Sequence, residues 1–356
     1  MIANQNIGVI FMDKLNNHEY KVPFSPETYV WGSTVNQLHL DDYLQDTLMY
    51  GNRYGSEAFK LLTNFGLGLL ASDYQESETG ILEATAVIGL PTEDWSNKEQ
   101  DKAVIDNLKG QHQVEIDGKT YTVRVKRVYL LPQPVGTLYN ELLDEQGFLQ
   151  RPELAEEKVG VIDIGGGTIL IDTILDFKLS QRNRKQYNTG VTDLYEAIQS
   201  KIQGNVSLYQ VERTLRNPIE GRYTYEFNKH DQREITDLVK SEIDRFTRRL
   251  ITNVKSTLKN LDSIDSLFFT GGGANLVNRK LLQQEFKNIV IVENTETANV
   301  NGFYKYGLSL QEDDDKPKQP LLALDLGNKQ TKLKSEKSEI ILPSQFLNKA
   351  DMPVEF

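Results

Sequence analysis

The 356-residue chain contains no cysteine. A disulfide framework, a thiolate metal site and a cysteine nucleophile are therefore excluded, and the absence agrees with a reducing compartment. Long apolar runs are missing too: none approaches the ~18 residues that a membrane-spanning helix needs. The opening Met1-Ile2-Ala3-Asn4-Gln5-Asn6 lacks the basic start and apolar stretch of a secretory signal. Basic charge is in deficit, with 40 Lys and Arg against 51 Asp and Glu and a net charge of −11. Such a chain does not coat nucleic acid by bulk electrostatics. The four histidines, His18, His39, His112 and His230, have no metal-ligand spacing and read as surface residues. Trp31 and Trp95, the two tryptophans, read as packing groups. What is present suffices for a core: 38% hydrophobic residues, 9% of the chain aromatic, and an ordinary 26% charged. The length suggests about two domains, or one fold of two lobes. The expectation is a soluble, acidic, cytoplasmic α/β protein.

Hydrophobic periodicity divides the chain. Ile7–Phe11 is a strand-length apolar run, Asn16-Asn17 a turn, and Glu19–Val22 a partner strand. Ala58, Leu61, Leu62, Phe65 and Leu69 fall at helical spacing over 54–72, although Gly66 and Gly68 weaken that helix. Ala84–Leu90 is a buried strand ended by Pro91. Ser96 and Glu99 form a capping-box pattern for a helix that Gly110 closes. Val114 and Ile116, the turn Asp117-Gly118, and Tyr121, Val123 and Val125 make a hairpin. Pro134 starts a helix that runs to about Asp144. The polar stretch Leu149–Lys158 crosses into a second lobe. There Val159–Ile174 reads as two strands around a Gly-rich bend, and Thr192 caps a helix carrying Leu194, Ile198 and Ile202. A long helix over 233–257 carries an apolar stripe, with Glu242, Arg245, Arg248 and Arg249 on a solvated face. Ser266–Thr270 is a strand ended by three glycines. The charged segment Glu312–Lys318 is a linker, followed by a core strand over Leu321–Leu324.

Two segments share one design. Val159–Leu170 and Leu321–Lys332 each give an apolar strand, then Asp-x-Gly (Asp163-Ile164-Gly165 and Asp325-Leu326-Gly327), then a tight bend and a return strand. Small residues at Gly165, Gly166, Gly167, Thr168, Gly327 and Asn328 let backbone N–H groups turn toward an anion. Each strand end presents one carboxylate. Asp163 and Asp325 together suit a hydrated Mg²⁺, which keeps several waters and takes few protein ligands. Lys332, seven residues after Asp325, is a point charge for phosphates. One Asp-x-Gly alone is an ordinary β-turn sequence. The third motif is Phe269-Thr270-Gly271-Gly272-Gly273-Ala274-Asn275, where a strand feeds a triple-glycine bend and a helix start. Glycine lets a flat ligand lie against the backbone there, and a helix N-terminus favours phosphate.

Together these motifs resemble the ATPase core of the actin superfamily. The resemblance implies an α/β, ribonuclease-H-like duplicated, two-lobe fold with Mg-ATP or ADP held in the cleft between the lobes. The two Asp-x-Gly hairpins would clasp the phosphates, and Gly271, Gly272, Gly273 and Asn275 would lie beside the adenosine. Asp325 and Asp163 would hold Mg²⁺ mainly through waters. Lys332 matches an actin-type lysine. A finer similarity is to plasmid-segregation actins of the ParM type. Val125–Tyr139, with Leu131–Leu138 within it, looks like their first interdomain crossing, Asn188–Tyr195 like the segment after the second phosphate hairpin, and Asn299–Gly307 like the returning crossing helix. By that resemblance Gln133 orients the water that attacks the γ-phosphate, with a capping role as the bland alternative. A slow ATPase that forms filaments is implied. Its partners are its own copies and a ParR-type DNA-bound adaptor, without direct nucleic-acid or membrane contact.

The order of motifs departs from the family. The lysine-bearing hairpin comes first there and last here, so the resemblance implies a circular permutation. The expected parts are residues 1–148 (lobe I), 149–298 (lobe II), 299–310 (return helix), 311–319 (acidic linker) and 320–356 (lobe I phosphate hairpin), with the family's order starting near Gln319. Met1 and Phe356 are expected close together, in the outer part of lobe I. In actin filaments that part takes part in longitudinal contacts, so nucleotide binding is expected to survive and polymerisation to be weakened. The alternatives are a kinase or chaperone-like ATPase of the same fold, and a structural bacterial actin scaffold. The kinase lacks an acidic base at the required place, the chaperone lacks length for a substrate domain, and the scaffold lacks an amphipathic anchor.

Overall fold

A computed structural model describes residues 16–38, 40–46, 53–95, 97–180, 182–312 and 318–352. The strand expected at Ile7–Phe11, His39, the Ser96 cap, linker residues 313–317 and both chain ends lie outside them. The chain forms two compact units, one from residues 1–150 with 299–356 and the other from 151–298.

In the first unit the strands are β1 (Asn17–Lys21), β2 (Tyr29–Gly32), β3 (Leu44–Asp46), β4 (Leu82–Leu90), β5 (Gly110–Ile116) and β6 (Lys119–Pro132). The same unit contains β15 (Leu321–Leu326), β16 (Gln330–Lys334), β17 (Glu339–Pro343) and β18 (Gln345–Asn348). They form one sheet in the order β17-β16-β15-β4-β6-β5-β1-β2-β18-β3. β15 and β4 are parallel, as are β4 and β6. The middle strands are apolar because both faces are covered: all six residues of β15 are buried. Asp117 (φ 49°) and Gly118 (φ 81°) make the expected hairpin turn with both central residues left-handed.

The helix Glu57–Ala71 packs across this sheet, capped by Ser56. Gly66 and Gly68, which lower its intrinsic propensity, are what let it approach. A Cβ on Gly68 would lie 2.6 Å from Val114 Cβ. Phe65 on this helix meets four rings, those of Tyr20, Tyr29, Trp31 and Phe346, at centroid distances of 4.8–6.0 Å. Residues at opposite ends of the chain thus share one core, and the Trp31 Nε1–H donates to Pro343 O (2.7 Å).

The second unit contains β7 (Val159–Ile164), β8 (Ile169–Leu175), β9 (Lys178–Leu179), β10 (Lys185–Tyr187), β13 (Ser266–Thr270) and β14 (Ile289–Ile291). The sheet order is β10-β8-β7-β13-β14, with β9 on β8. A separate ribbon pairs β11 (Thr224–Asn228) with β12 (Asp231–Glu234). Ile162, Ile171, Leu194, Ile198, Val239, Phe246, Leu250 and Phe269 fill the core.

Several local expectations are corrected. The helix Lys98–Leu108 is capped by Asn97, whose Oδ1 accepts from Glu99 N (3.0 Å), and Gly110 (φ 124°) opens β5 instead of closing the helix. Thr192 lies inside the helix Val191–Gln199, and Gly190 is its N-cap. The long helix is Thr236–Thr257, because β12 occupies the residues before it. Glu242 is 3% exposed and pairs with Lys201 and Arg245, while Arg245, Arg248 and Arg249 are exposed. His112 is buried: its Nε2 meets Leu108 O at 2.8 Å and its Nδ1 faces the Asn64 side-chain amide at 2.9 Å. His18 and His230 are exposed.

Two helices of the first unit, Gln133–Leu142 and Ala298–Glu312, cross at a glycine pair. A Cβ on Gly302 would lie 1.7 Å from Gly136 O, and one on Gly136 would lie 2.3 Å from Phe303 Cε1. Backbone cannot yield as a side-chain tip does. Gly302→Ala should therefore lower unfolding stability by about 3 kcal/mol or more. Urea titration measures this, and a loss within about 0.5 kcal/mol would refute the close crossing.

Candidate functional site

In the first unit the functional residues gather at the end of β15. The antiparallel register places Asp325 opposite Lys332. The spacing of seven is thus the length of a tight hairpin, and it aims both side chains to one face. Asp325 is 1% exposed. A carboxylate so buried must be paired or hydrogen-bonded. Lys332 Nζ lies 3.2 Å from its Oδ2, and Gln133 Nε2 donates to its Oδ1 (2.9 Å). Gln133 reaches it because β6 delivers the chain to a helix start beside β4, and Pro132, not Gln133, is the N-cap. A carboxylate only accepts, so the Gln133 amide presents its NH₂ to Asp325 and its Oε1 remains for another donor. The bend is held by its own backbone and by neighbours. Gly327 N donates to Gln330 O (3.0 Å), Ser344 Oγ donates to Gly327 O (2.7 Å), and Ser344 N donates to Lys329 O (2.9 Å).

The second unit repeats the design. Gly165 N donates to Thr168 O (2.8 Å), the counterpart of the Gly327 bond. The first amides of the helix Val191–Gln199 anchor the bend: Val191 N donates to Gly165 O (3.0 Å) and Thr192 N to Gly166 O (2.8 Å). β7 and β13 are parallel with Asp163 beside Thr270, so the glycine bend after β13 lies against the Asp163 side chain. Gly271 (φ 79°) begins a 3-10 turn, Gly272–Asn275, where an α-helix start was expected. A Cβ on Gly271 would lie 2.3 Å from Asp163 Oδ1, and one on Gly273 would lie 2.3 Å from Ile164 Cγ2. Gly167 faces open space. Asn275 Nδ2 donates to Thr295 Oγ1 (2.9 Å), and Thr295 O accepts from Gly271 N (3.0 Å), so Asn275 braces the bend.

Sequence reading missed four contributors. Arg53 donates to Leu326 O, and Ser344 pins the first bend. In the second unit Arg216 forks onto Glu296 (3.1–3.2 Å) and bonds Glu212 (2.9 Å). Burial works against the Arg216 charge, but those carboxylates outweigh it and hold the guanidinium protonated. Glu296 Oε1 would lie 3.6 Å from a Cβ on Gly272, so this pair rims the glycine bend. Arg53 and Glu296 lie far in sequence from Leu326 and Arg216, so no local pattern marks those contacts; only the Arg216–Glu212 pair is local, at helical i,i+4 spacing.

Among the described residues no three His, Asp or Glu side chains converge to hold a metal, and no helix is long and apolar enough to cross a membrane. Each bend carries a single carboxylate, which does not suit a fully protein-ligated cation; a lone carboxylate of this kind suits an ion that keeps most of its waters, as Mg²⁺ does.

The glycines make a contrast that can be measured. Gly271→Ala should lose about 2–4 kcal/mol, because it combines a left-handed φ with a collision on Asp163. Gly167→Ala should stay within about 1 kcal/mol. Thermal or urea unfolding of the two variants decides; equal effects would refute the packing of Gly271 on Asp163.

Comparison with known proteins agrees with this architecture. A family model described as the N-terminal domain of actin-like proteins matches residues 3–136, and one for the C-terminal domain of an archaeal MreB-like actin homologue matches 161–283. No curated protein sequence matches significantly. Apo ParM of pSK41 superposes with a TM-score of 0.66 at 25% identity, covering 84% of this chain and 85% of that one. Ta0583, an archaeal actin homologue also solved in complex with ADP, gives 0.61 at 19% identity, with 84% and 88% covered. The Alp12 filament structure gives 0.55 at 18% identity, with 84% of each chain covered. Two matching domains, one fold and a twice-built Asp-x-Gly hairpin place the chain in the actin superfamily, among its ParM-like members.

Proposed function

We propose that the chain is a filament-forming ATPase that segregates plasmid DNA through a separate, ParR-type DNA-bound adaptor. The observation that carries the nucleotide reading is Asp325, buried and held by Gln133 and Lys332 at the mouth of a rigid glycine bend. By the family resemblance, the bend beside Asp163 in the second unit would take part in the same phosphate grip. Ta0583, of the same fold, was solved with ADP.

The chemistry asks little of the protein beyond positioning and charge. Lys332 offers a fixed positive charge to the phosphates. Backbone amides of each bend would donate to the phosphates. Gln133, anchored through its NH₂, directs its Oε1 to accept from the attacking water. A neutral amide is a weak base, so turnover is slow, which suits a filament that must persist before it disassembles. Asp163 and Asp325 would hold Mg²⁺ through waters, and the ion supplies neutralisation of phosphate charge. Gly271, Gly272 and Gly273 accept the adenosine face. Filament formation is supported by likeness to the Alp12 filament structure. The acidic charge of −11 favours contact with DNA through an adaptor.

Sedimentation with Mg-ATP and with a non-hydrolysable analogue tests the filament: pelleting in neither would remove that half. Gln133→Ala should keep nucleotide binding and lose phosphate release about 100-fold. Release at the full rate would remove Gln133 from catalysis.

A circular permutation belongs to the same reading. In the second unit the hairpin β7–β8 precedes β13, its parallel neighbour. In the first unit the equivalent hairpin β15–β16 follows β4, its parallel neighbour, by over 200 residues. The spatial plan is shared while the chain order is reversed. The joint is short: Gln311 Nε2 donates to Gln319 O (2.7 Å) across the acidic linker. The cut would fall in the outer part of the first lobe and weaken polymerisation. A gene rearranged so that 319–356 precedes residue 1 should fold with a similar Tm and pellet more fully with Mg-ATP. Failure of that chain to fold would sink the permutation.

A further inference from the structure

The carboxylate, lysine and glutamine of the first phosphate hairpin have sequence signals, but Arg53 has none. It opens the short turn Arg53–Gly55 ahead of the helix Glu57–Ala71. Its Nη2 donates to the carbonyl of Leu326, the residue between Asp325 and Gly327. That bond fixes the peptide plane from which the bend departs, and Gly327 N on Gln330 O fixes the other side. The guanidinium is itself held in place. Its carbon lies 5.7 Å from the Tyr54 ring centroid and 5.9 Å from that of Phe59. Tyr54 is buried, donates its hydroxyl to Asp94, and receives Asn107 Nδ2 on its carbonyl (2.6 Å). Ser56, which caps the helix, donates to Arg53 O (2.7 Å).

Two features of this arrangement leave the guanidinium with capacity to spare. Arg53 Nε is buried and has no acceptor among the described residues. No carboxylate among the described residues pairs with the guanidinium; Asp325 is already engaged by Lys332 and Gln133. A buried donor without an acceptor is costly in a folded protein, and a guanidinium free of carboxylate partners can still take an anion by charge-assisted hydrogen bonds.

We propose that Arg53 is a positioning residue of the phosphate hairpin: it clamps the Leu326 carbonyl and contributes a positive charge that bound polyphosphate compensates. The proposal rests on the nucleotide reading above. Arg53→Met and Arg53→Lys are compared with the unsubstituted chain for ATP affinity across a salt series, by calorimetry. Arg53→Met should bind ATP roughly tenfold more weakly, with a shallower decline of affinity with salt. Arg53→Lys should recover part of the affinity and the salt dependence. Unchanged affinity in Arg53→Met, or weakened affinity with the salt dependence intact, would overturn the proposal. If Arg53→Met does not fold, Arg53→Gln, neutral but still an N–H donor, is read by the same two criteria. Absence of ATP binding by the unsubstituted chain defeats the nucleotide reading and this inference with it; binding there with no change in the variants defeats this inference alone.

Discussion

A carboxylate with 1% exposure cannot stand alone in a protein interior, and the first unit is arranged around satisfying Asp325. One oxygen takes Lys332 and the other takes Gln133. Lys332 is available because β16 returns antiparallel in register. Gln133 is available because β15, β4 and β6 run parallel side by side and β6 ends level with β15. A one-residue slip in either pairing would turn one partner to the opposite face of the sheet. Central strands, helix start and bend are thus mutually required. Removing Lys332 would leave the buried charge without its cation, which is more damaging than the pair is stabilising, whereas removing the neutral Gln133 would cost Asp325 one hydrogen bond.

The second unit repeats the backbone plan but solves its electrostatics differently. Asp163 is paired across the hairpin with Leu170, where Asp325 faces Lys332. It is half-buried instead of fully buried, and the backbone of Gly271 lies against its carboxylate. One copy therefore carries a fixed cation on its return strand and the other an apolar residue. Two hairpins that share a fold are in this way differentiated: the first concentrates charge on one bend, and the second offers close backbone approach.

Much of this was legible in sequence because its causes are local. The strands Leu82–Leu90, Val159–Ile164 and Ser266–Thr270, the Asp117-Gly118 turn and both Asp-x-Gly bends follow from apolar runs and the needs of tight turns. Caps were read less well. Gly190 displaced Thr192 as the helix N-cap because the bend's carbonyls, twenty-odd residues upstream, take the first amides of that helix. Glu242 and His112 sit at positions whose local pattern is polar, yet Lys201 and the Asn64 amide meet them from distant segments and make burial tolerable. Arg53 and Ser344 belong to the same class. Their roles exist only once a bend more than 250 residues from Arg53 has been brought beside it.

The two bends also show why glycine alone does not make an anion site. A loop whose amides point correctly only some of the time loses ordering entropy on every binding event. Here that entropy is lost at folding. In the first unit Ser344 holds two carbonyls of the bend, and Arg53 holds the one before it. In the second unit the amides of Val191 and Thr192 do the same work from a helix N-terminus. In each bend several carbonyls are taken by donors from neighbouring elements, so the bend's backbone is set at folding. Gly271 and Gly302 then have a common explanation: each permits backbone to approach where any side chain would push a pre-set element out of place.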